Sequence, residues 1–244
     1  MILTIAGNTL GALLSRRRAL LMAVLAAVPA LVALLARAYG EPGDVVQQTA
    51  GLLEASVLTA LLPLVALVFG TAALGAELED GSAIHLLTKP VPRWRVVAGK
   101  ALAAAPLTGL LVGGATLVTG LILGGDRGAA GLTLAYTLAA AVGGVVYVLL
   151  FIALSVLTGR ALIVGLIYVA VWEGTLAGLF EGTRVLSIRQ YLLGLIAAID
   201  PHWVAGTGAP LAPGVAAAGA VLVAAGSFLV AVQALERHQV SAGD

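Results

Sequence analysis

The chain has 244 residues, 61% of them hydrophobic and 10% charged, with a formal net charge of +1 and a mean hydropathy of +1.09. Soluble domains carry about 25% charged residues, so this composition describes an integral membrane protein, and the near-zero charge without a basic stripe excludes a nucleic-acid-binding role. The chain has no cysteine, which excludes disulfides, zinc–thiolate sites, iron–sulfur clusters and cysteine nucleophiles and leaves the redox compartment open.

In chain order, Thr4, Asn8, Gly11, Ser15 and Arg18 fall at helical spacing among Leu3, Ala6, Leu10, Leu13 and Leu14. This pattern predicts an amphipathic helix lying in the membrane surface. Arg16, Arg17 and Arg18 then precede a first span over 19–36 and, by the positive-inside rule, stay cytoplasmic. A cleaved signal peptide is the competing reading, because Ala36-Arg37-Ala38 has the look of a cleavage site. Against it stand the long leader and an apolar run beyond the usual ~7–15 residues. Residues 37–50, with Gly40, Pro42 and Gly43, read as an outer loop, and a second span is expected over 54–74.

Residues 75–100 are the only long, densely charged and turn-rich stretch. A charge at the centre of a bilayer costs at least ~2.5–3.5 kcal/mol on insertion scales, so this segment is expected to face water. Ser82 reads as a helix cap, 83–88 as a short helix with Ile84 and Leu87 on one side, and Pro90 and Pro92 as its stop. A short, stiff, half-apolar helix between two spans has the shape of a docking knob for a soluble partner.

Further spans are expected over 97–123, 132–157, 161–180 and 214–234, with tight turns at 124–128 and 158–160. Between the last two, Ser187-Ile-Arg-Gln190 is a capping-box pattern opening a helix of about a dozen residues that Asp200-Pro201 closes. Such a helix is too short to cross a bilayer needing ~20 residues, so it is expected to lie along the outer surface or dip partway in. Six spans with both ends inside place nine basic residues inside and four (Arg37, Arg127, Arg184 and Arg189) outside, the bias that topology requires.

The stretch Glu77-Leu-Glu-Asp-Gly-Ser82, followed by Leu86-Leu-Thr-Lys-Pro-Val-Pro-Arg93 and Gly99-Lys100, resembles the cytoplasmic loop of ABC-2 type transporter permeases. Tyr168-Val-Ala-Val-Trp-Glu173 and Leu186-Ser-Ile-Arg-Gln-Tyr191 are similar to the fifth span and outer helix of a subgroup of that family. The resemblance implies a single all-α membrane domain over 1–244 with an N-terminal elbow helix, a coupling helix between spans two and three, and an extracytoplasmic helix between spans five and six. It implies a multi-pass protein of the cell membrane, an exporter permease without cofactor of its own. ATP and Mg would be bound by a separate ABC ATPase present in two copies, beside two permease subunits, identical or merely related. Glu77, Glu79, Ser82, Ile84, Leu86 and Leu87 would then contact or position that ATPase, while Lys89 and Arg93 either share this task or anchor the loop at anionic headgroups.

Sites of chemistry are sparse. His85, His202 and His238 fall in different loops without metal-ligand spacing, and Gly99-Lys100 lacks the first glycine and the hydroxyl residue of a phosphate-cradling loop. Ser155 and Ser227 have no histidine near them in sequence; span hydroxyls ordinarily satisfy backbone carbonyls. Glu173, beside Trp172, is the carboxylate expected within a span, either lining a transport path or bonding neighbouring helices. Glu54, near the outer end of its span, either shares in function or simply reaches water. A non-transporting membrane scaffold or maturation factor that recruits an ATPase is the alternative from another class, and an intramembrane enzyme the third.

Overall fold

The computed structural model describes residues 2–40, 43–79, 92–176, 181–200 and 211–240, and every regular element among them is helical. Helix α1 (Ile2–Leu13) and α2 (Arg16–Tyr39) come first. Helix α3 (Val45–Leu52) passes through a π-helical stretch, Leu53–Leu61, into α4 (Leu62–Glu79). The long helices α5 (Arg93–Gly124) and α6 (Ala130–Leu157) follow. Helix α7 (Ala161–Ile167) runs into a second π stretch, Tyr168–Leu176, and a 3-10 turn, Glu181–Leu186, leads to α8 (Ile188–Ile199) and α9 (Pro213–Val240).

Among the described residues, five stretches are long and apolar enough to cross a membrane: Arg18–Tyr39, Val45–Gly75, Arg93–Gly124, Ala130–Leu157 and Pro213–Arg237. The segment expected as the fifth of six spans is a shorter apolar helix, Ala161–Thr175, and the remainder of that expected span, 177–180, lies outside the described residues. The expected coupling helix lies outside them as well. The outer loop expected over 37–50 is shorter than its composition suggested. Asp44 accepts hydrogen bonds from the amides of Val46 (2.9 Å) and Gln47, so the helix is capped and begins at Val45.

Helix α6 lies at the centre, packed against α4, α5, α8 and α9, while α2 and α1 lie against α5. Leu62, Val65, Ala66 and Phe69 of α4 meet Tyr136, Tyr147, Phe151 and Ile152 of α6 in one continuous apolar core. Small residues set the spacing: a Cβ on Gly70 would come within 2.8 Å of the Phe151 Cβ and 3.1 Å of the Val148 carbonyl oxygen. Gly109 and Gly113 face Ala141 and Thr137 of α6 at ordinary contact distances, so their spacing serves packing within the chain. Hydroxyls in the spans bond back to their own helix, as Thr71 to Leu67 (2.7 Å), Thr108 to Ala104 (2.8 Å) and Ser155 to Ile152 (2.8 Å).

The first π stretch has a local cause. Pro63 stands two residues beyond its end, and a proline ring in an α-helix clashes with the carbonyl four residues back. Widening the turn relieves that clash, and the Leu62 amide accordingly bonds to the Val57 carbonyl, five residues back. The second π stretch carries no proline.

Contacts sort the connections to two ends of the bundle. At one end, Arg37 at the close of α2 makes two hydrogen bonds to Asp126 (3.1 and 2.8 Å) in the α5–α6 turn and one to the Ile122 carbonyl (2.6 Å). Gly128 turns this connection with a φ of +90° that side-chain-bearing residues rarely adopt. At the other end, α1 crosses the beginning of α5, where a Cβ on Gly99 would lie 2.9 Å from Ile5, and Gly75 of α4 faces Ser155 of α6.

Two measurements test this packing. Gly70→Ala forces backbone apart and is expected to cost about 1–3 kcal/mol in detergent-solubilised unfolding, whereas Gly109→Ala, with room for its methyl, stays near wild type. The hydrogen bond from Arg37 lowers the Asp126 pKa below its ordinary 3.8. A lowered carboxylate pKa stabilises the fold above the ordinary value and loses that effect as pH falls through the lowered one. The stability difference between wild type and Asp126→Asn is therefore expected at neutral pH and to vanish in strong acid.

Candidate functional site

Two carboxylates in apolar helices need partners, because an ion removed from water without them costs several kcal/mol. Glu54 lies in the first π stretch and is 6% exposed; Glu173 lies in the second and is 1% exposed. Both converge on the beginning of α8.

Glu173 acts as an external cap for that helix. Its Oε2 accepts the Ser187 hydroxyl (2.6 Å) and the Arg189 amide (3.4 Å), and its Oε1 accepts the Ile188 amide (2.9 Å) and the Tyr168 hydroxyl (2.9 Å). The first amides of a helix have no intrahelical partner, and the positive end of its dipole favours an anion. Tyr168 and Glu173 are five residues apart on the same element, a spacing that the π turn brings to one face. The Ser187 hydroxyl also accepts the Gln190 amide (3.3 Å), while the Ser187 amide bonds to the Arg184 carbonyl. The capping box expected from the sequence is thus made on the serine side, and Glu173 supplies a second acceptor from another element.

Glu54 accepts a hydrogen bond from the Arg189 guanidinium, across 135 residues of sequence. Of the two readings of Glu54, simple access to water does not hold: an arginine that emerges from the first turn of α8 covers it. Trp172 donates its ring N–H to the Leu186 carbonyl (3.3 Å), and the Tyr191 hydroxyl bonds to the Val185 carbonyl, so the 3-10 turn is held from both sides. Beneath, Leu192 packs toward Gly143 and Leu62, with Ile188 and Ile196 also buried.

The charged loop residues are placed differently. Glu77 and Glu79 fall in the last turn of α4, their side chains outside the described residues, and Ser82, Ile84, Leu86, Leu87 and Lys89 lie in the undescribed 80–91. Arg93 and Lys100 belong to α5 and are 8% and 2% exposed, so both cations turn into the protein where the sequence suggested solvent or headgroups. Arg95 instead lies over the Trp94 ring, 5.3 Å from its centre. Among the described residues no group of His, Cys, Asp or Glu is arranged to hold a metal.

Sequence reasoning singled out Glu54, Glu173 and Trp172 but not Arg189, which it counted only as an outer-loop charge. The signal was present: a carboxylate within an oily helix needs a cation at the same depth, and Arg189 stands at the matching end, in the first turn of an otherwise apolar helix.

The sequence model of a family described as ABC-2 family transporter protein matches residues 3–161, well over half of the chain. No curated protein matches the sequence.

The cap predicts its own loss. Glu173→Ala leaves the Ser187 hydroxyl and two amides without their acceptor, a cost of about 1–3 kcal/mol. Amide exchange across 188–199 is expected to rise, while α6 keeps wild-type protection.

Proposed function

The chain belongs to the ABC-2 transporter family, and we propose that it is the membrane subunit of an ATP-driven exporter, coupled to a separate ATPase through residues 75–100. It is a multi-pass membrane component of transport rather than an enzyme, and permeases of its family generally work with an ABC ATPase subunit. In the proposed assembly, two copies of this permease in the cell membrane meet two ATPase subunits, which bind the ATP and Mg.

The observation that carries the reading is that the matched region, 3–161, encloses the whole charged loop together with the helices that lead into and out of it. Helix α4 delivers Glu77 and Glu79 to the edge of the loop, and α5 begins with Arg93 buried one residue after Pro92. A partner seated on Ile84, Leu86 and Leu87, with Glu77, Glu79 and Ser82 positioning the knob, would move α4 and α5 together. Both helices pack against the central α6 and against each other, so the displacement would be passed through the core. In this assembly α1 is the elbow helix, residues 161–180 complete a sixth span, both termini face the cytoplasm, and α8 lies at the outer end. Moving such a bundle from 1:99 to 99:1 between two arrangements requires ~5.5 kcal/mol of differential binding, which ATP binding to the partner would supply.

The double variant Glu79→Ala/Leu87→Asp removes an acidic contact and puts a charge on the docking face. It is expected either to lose the ATPase on co-purification or to hydrolyse ATP without transport in reconstituted vesicles. Normal export together with normal co-purification would refute the coupling.

A further inference from the structure

Helix α8 is fastened to two different elements by two unlike devices. Toward its own upstream segment, Glu173 holds the Ser187 hydroxyl and the amides of Ile188 and Arg189. These are bonds to the backbone and cap that open the helix, and they join residues 14–16 apart in sequence. Toward the second membrane-crossing stretch, the attachment is the side-chain ion pair of Arg189 with Glu54. Each carboxylate is carried on a π stretch, the irregular turn of an otherwise α-helical element. Below them, α8 lays Ile188, Leu192 and Ile196 onto α6, α9 and Leu62 of α4.

We infer that Arg189 is a positioning residue that clasps α8 against the Val45–Gly75 stretch through Glu54, and that α8 stays joined to the Tyr168–Leu176 segment through Glu173 when the clasp opens. The asymmetry follows from what each link holds. Breaking the Glu173 link takes the acceptor from the first two amides of α8, which the remaining Ser187 bond to the Gln190 amide does not replace. Breaking the Glu54 link costs an ion pair and leaves the helix intact. Helix α8 is thus a flap hinged on one carboxylate and latched by the other, over the end of the bundle remote from the 75–100 loop. This deepens the transport reading by naming the closure at that end, and it is testable without transport.

The absence of native cysteine lets a single thiol report the flap. Leu192→Cys, buried under α8, is labelled with a membrane-impermeant maleimide in the full chain reconstituted into vesicles, and Ala140→Cys in the centre of α6 serves as control. Removing only one partner would leave a buried charge without its ion pair, so the clasp is removed as the neutral pair Glu54→Gln/Arg189→Met, a replacement that buried ion pairs often tolerate. Labelling at position 192 is expected to quicken about tenfold or more in that background, as a local opening does. Arg189→Lys, which keeps the charge, is expected to label near the parent rate, and the control thiol stays protected throughout. The inference is overturned if the neutral pair labels at the parent rate, if Arg189→Lys labels as fast as the neutral pair, or if position 140 quickens equally. Absence of export by the wild-type protein reconstituted with its ATPase, with all of these as expected, would count against the transport reading alone.

Discussion

A carboxylate placed in an oily helix must find donors within the protein, and the end of the bundle around α8 is built on that requirement. Glu173 and Glu54 are buried by neighbouring helices and cannot be left to water. Each is satisfied by the opening turn of one short helix, the first through the backbone and a serine, the second through an arginine. Because most of the donors come from the opening of a helix of only 12 residues, α8 is held in place by charge and capping as well as by its apolar face. The helices around it supply the apolar contacts, but burial is non-directional and does not by itself fix where α8 begins.

Both carboxylates sit on irregular backbone. A regular α-helix repeats every 3.6 residues, and a π turn resets which side chains share a face. At Leu53–Leu61 the reset has a visible cause in Pro63, whose ring cannot sit against an α-helical carbonyl. At Tyr168–Leu176 the five-residue link from Tyr168 to Glu173 exploits it directly. The rest of the bundle is regular by comparison, with α5 and α6 meeting along small residues and threonine hydroxyls folded back on their own carbonyls.

Much of the architecture was legible from composition and run length. The apolar stretches at 19–36, 97–123, 132–157 and 214–234 each fall inside a long helix, and the glycine-rich turn at 124–128 and the cap at Ser187 were readable from turn and capping chemistry. Three things were hidden. The early start of α3 depends on one aspartate capping in a segment whose glycines and proline read as loop. The burial of Arg93 and Lys100 reverses the rule that cations seek water, because neighbouring helices close over the first turns of α5. The Arg189–Glu54 pair joins residues far apart in sequence, and periodicity carries no information about which distant charges meet. Glu173 was recognisable as a carboxylate that had to have a purpose, but half of its partners are backbone amides, which every residue except proline possesses and no pattern distinguishes.

The distance between Glu54 and Arg189 along the chain also sets an order of events during biosynthesis. The acidic side chain enters the membrane with the second crossing, whereas its cation is not yet made; at ribosomal speeds of roughly 5–20 residues per second, 135 further residues take on the order of ten seconds. Throughout that interval three long helices can insert and pair, but the nascent protein cannot seal the region around Glu54. That corner closes only once α8 is made, ahead of α9 alone among the helices, and a ribosome stalled before codon 189 would leave the earlier helices paired around a Glu54 without its arginine.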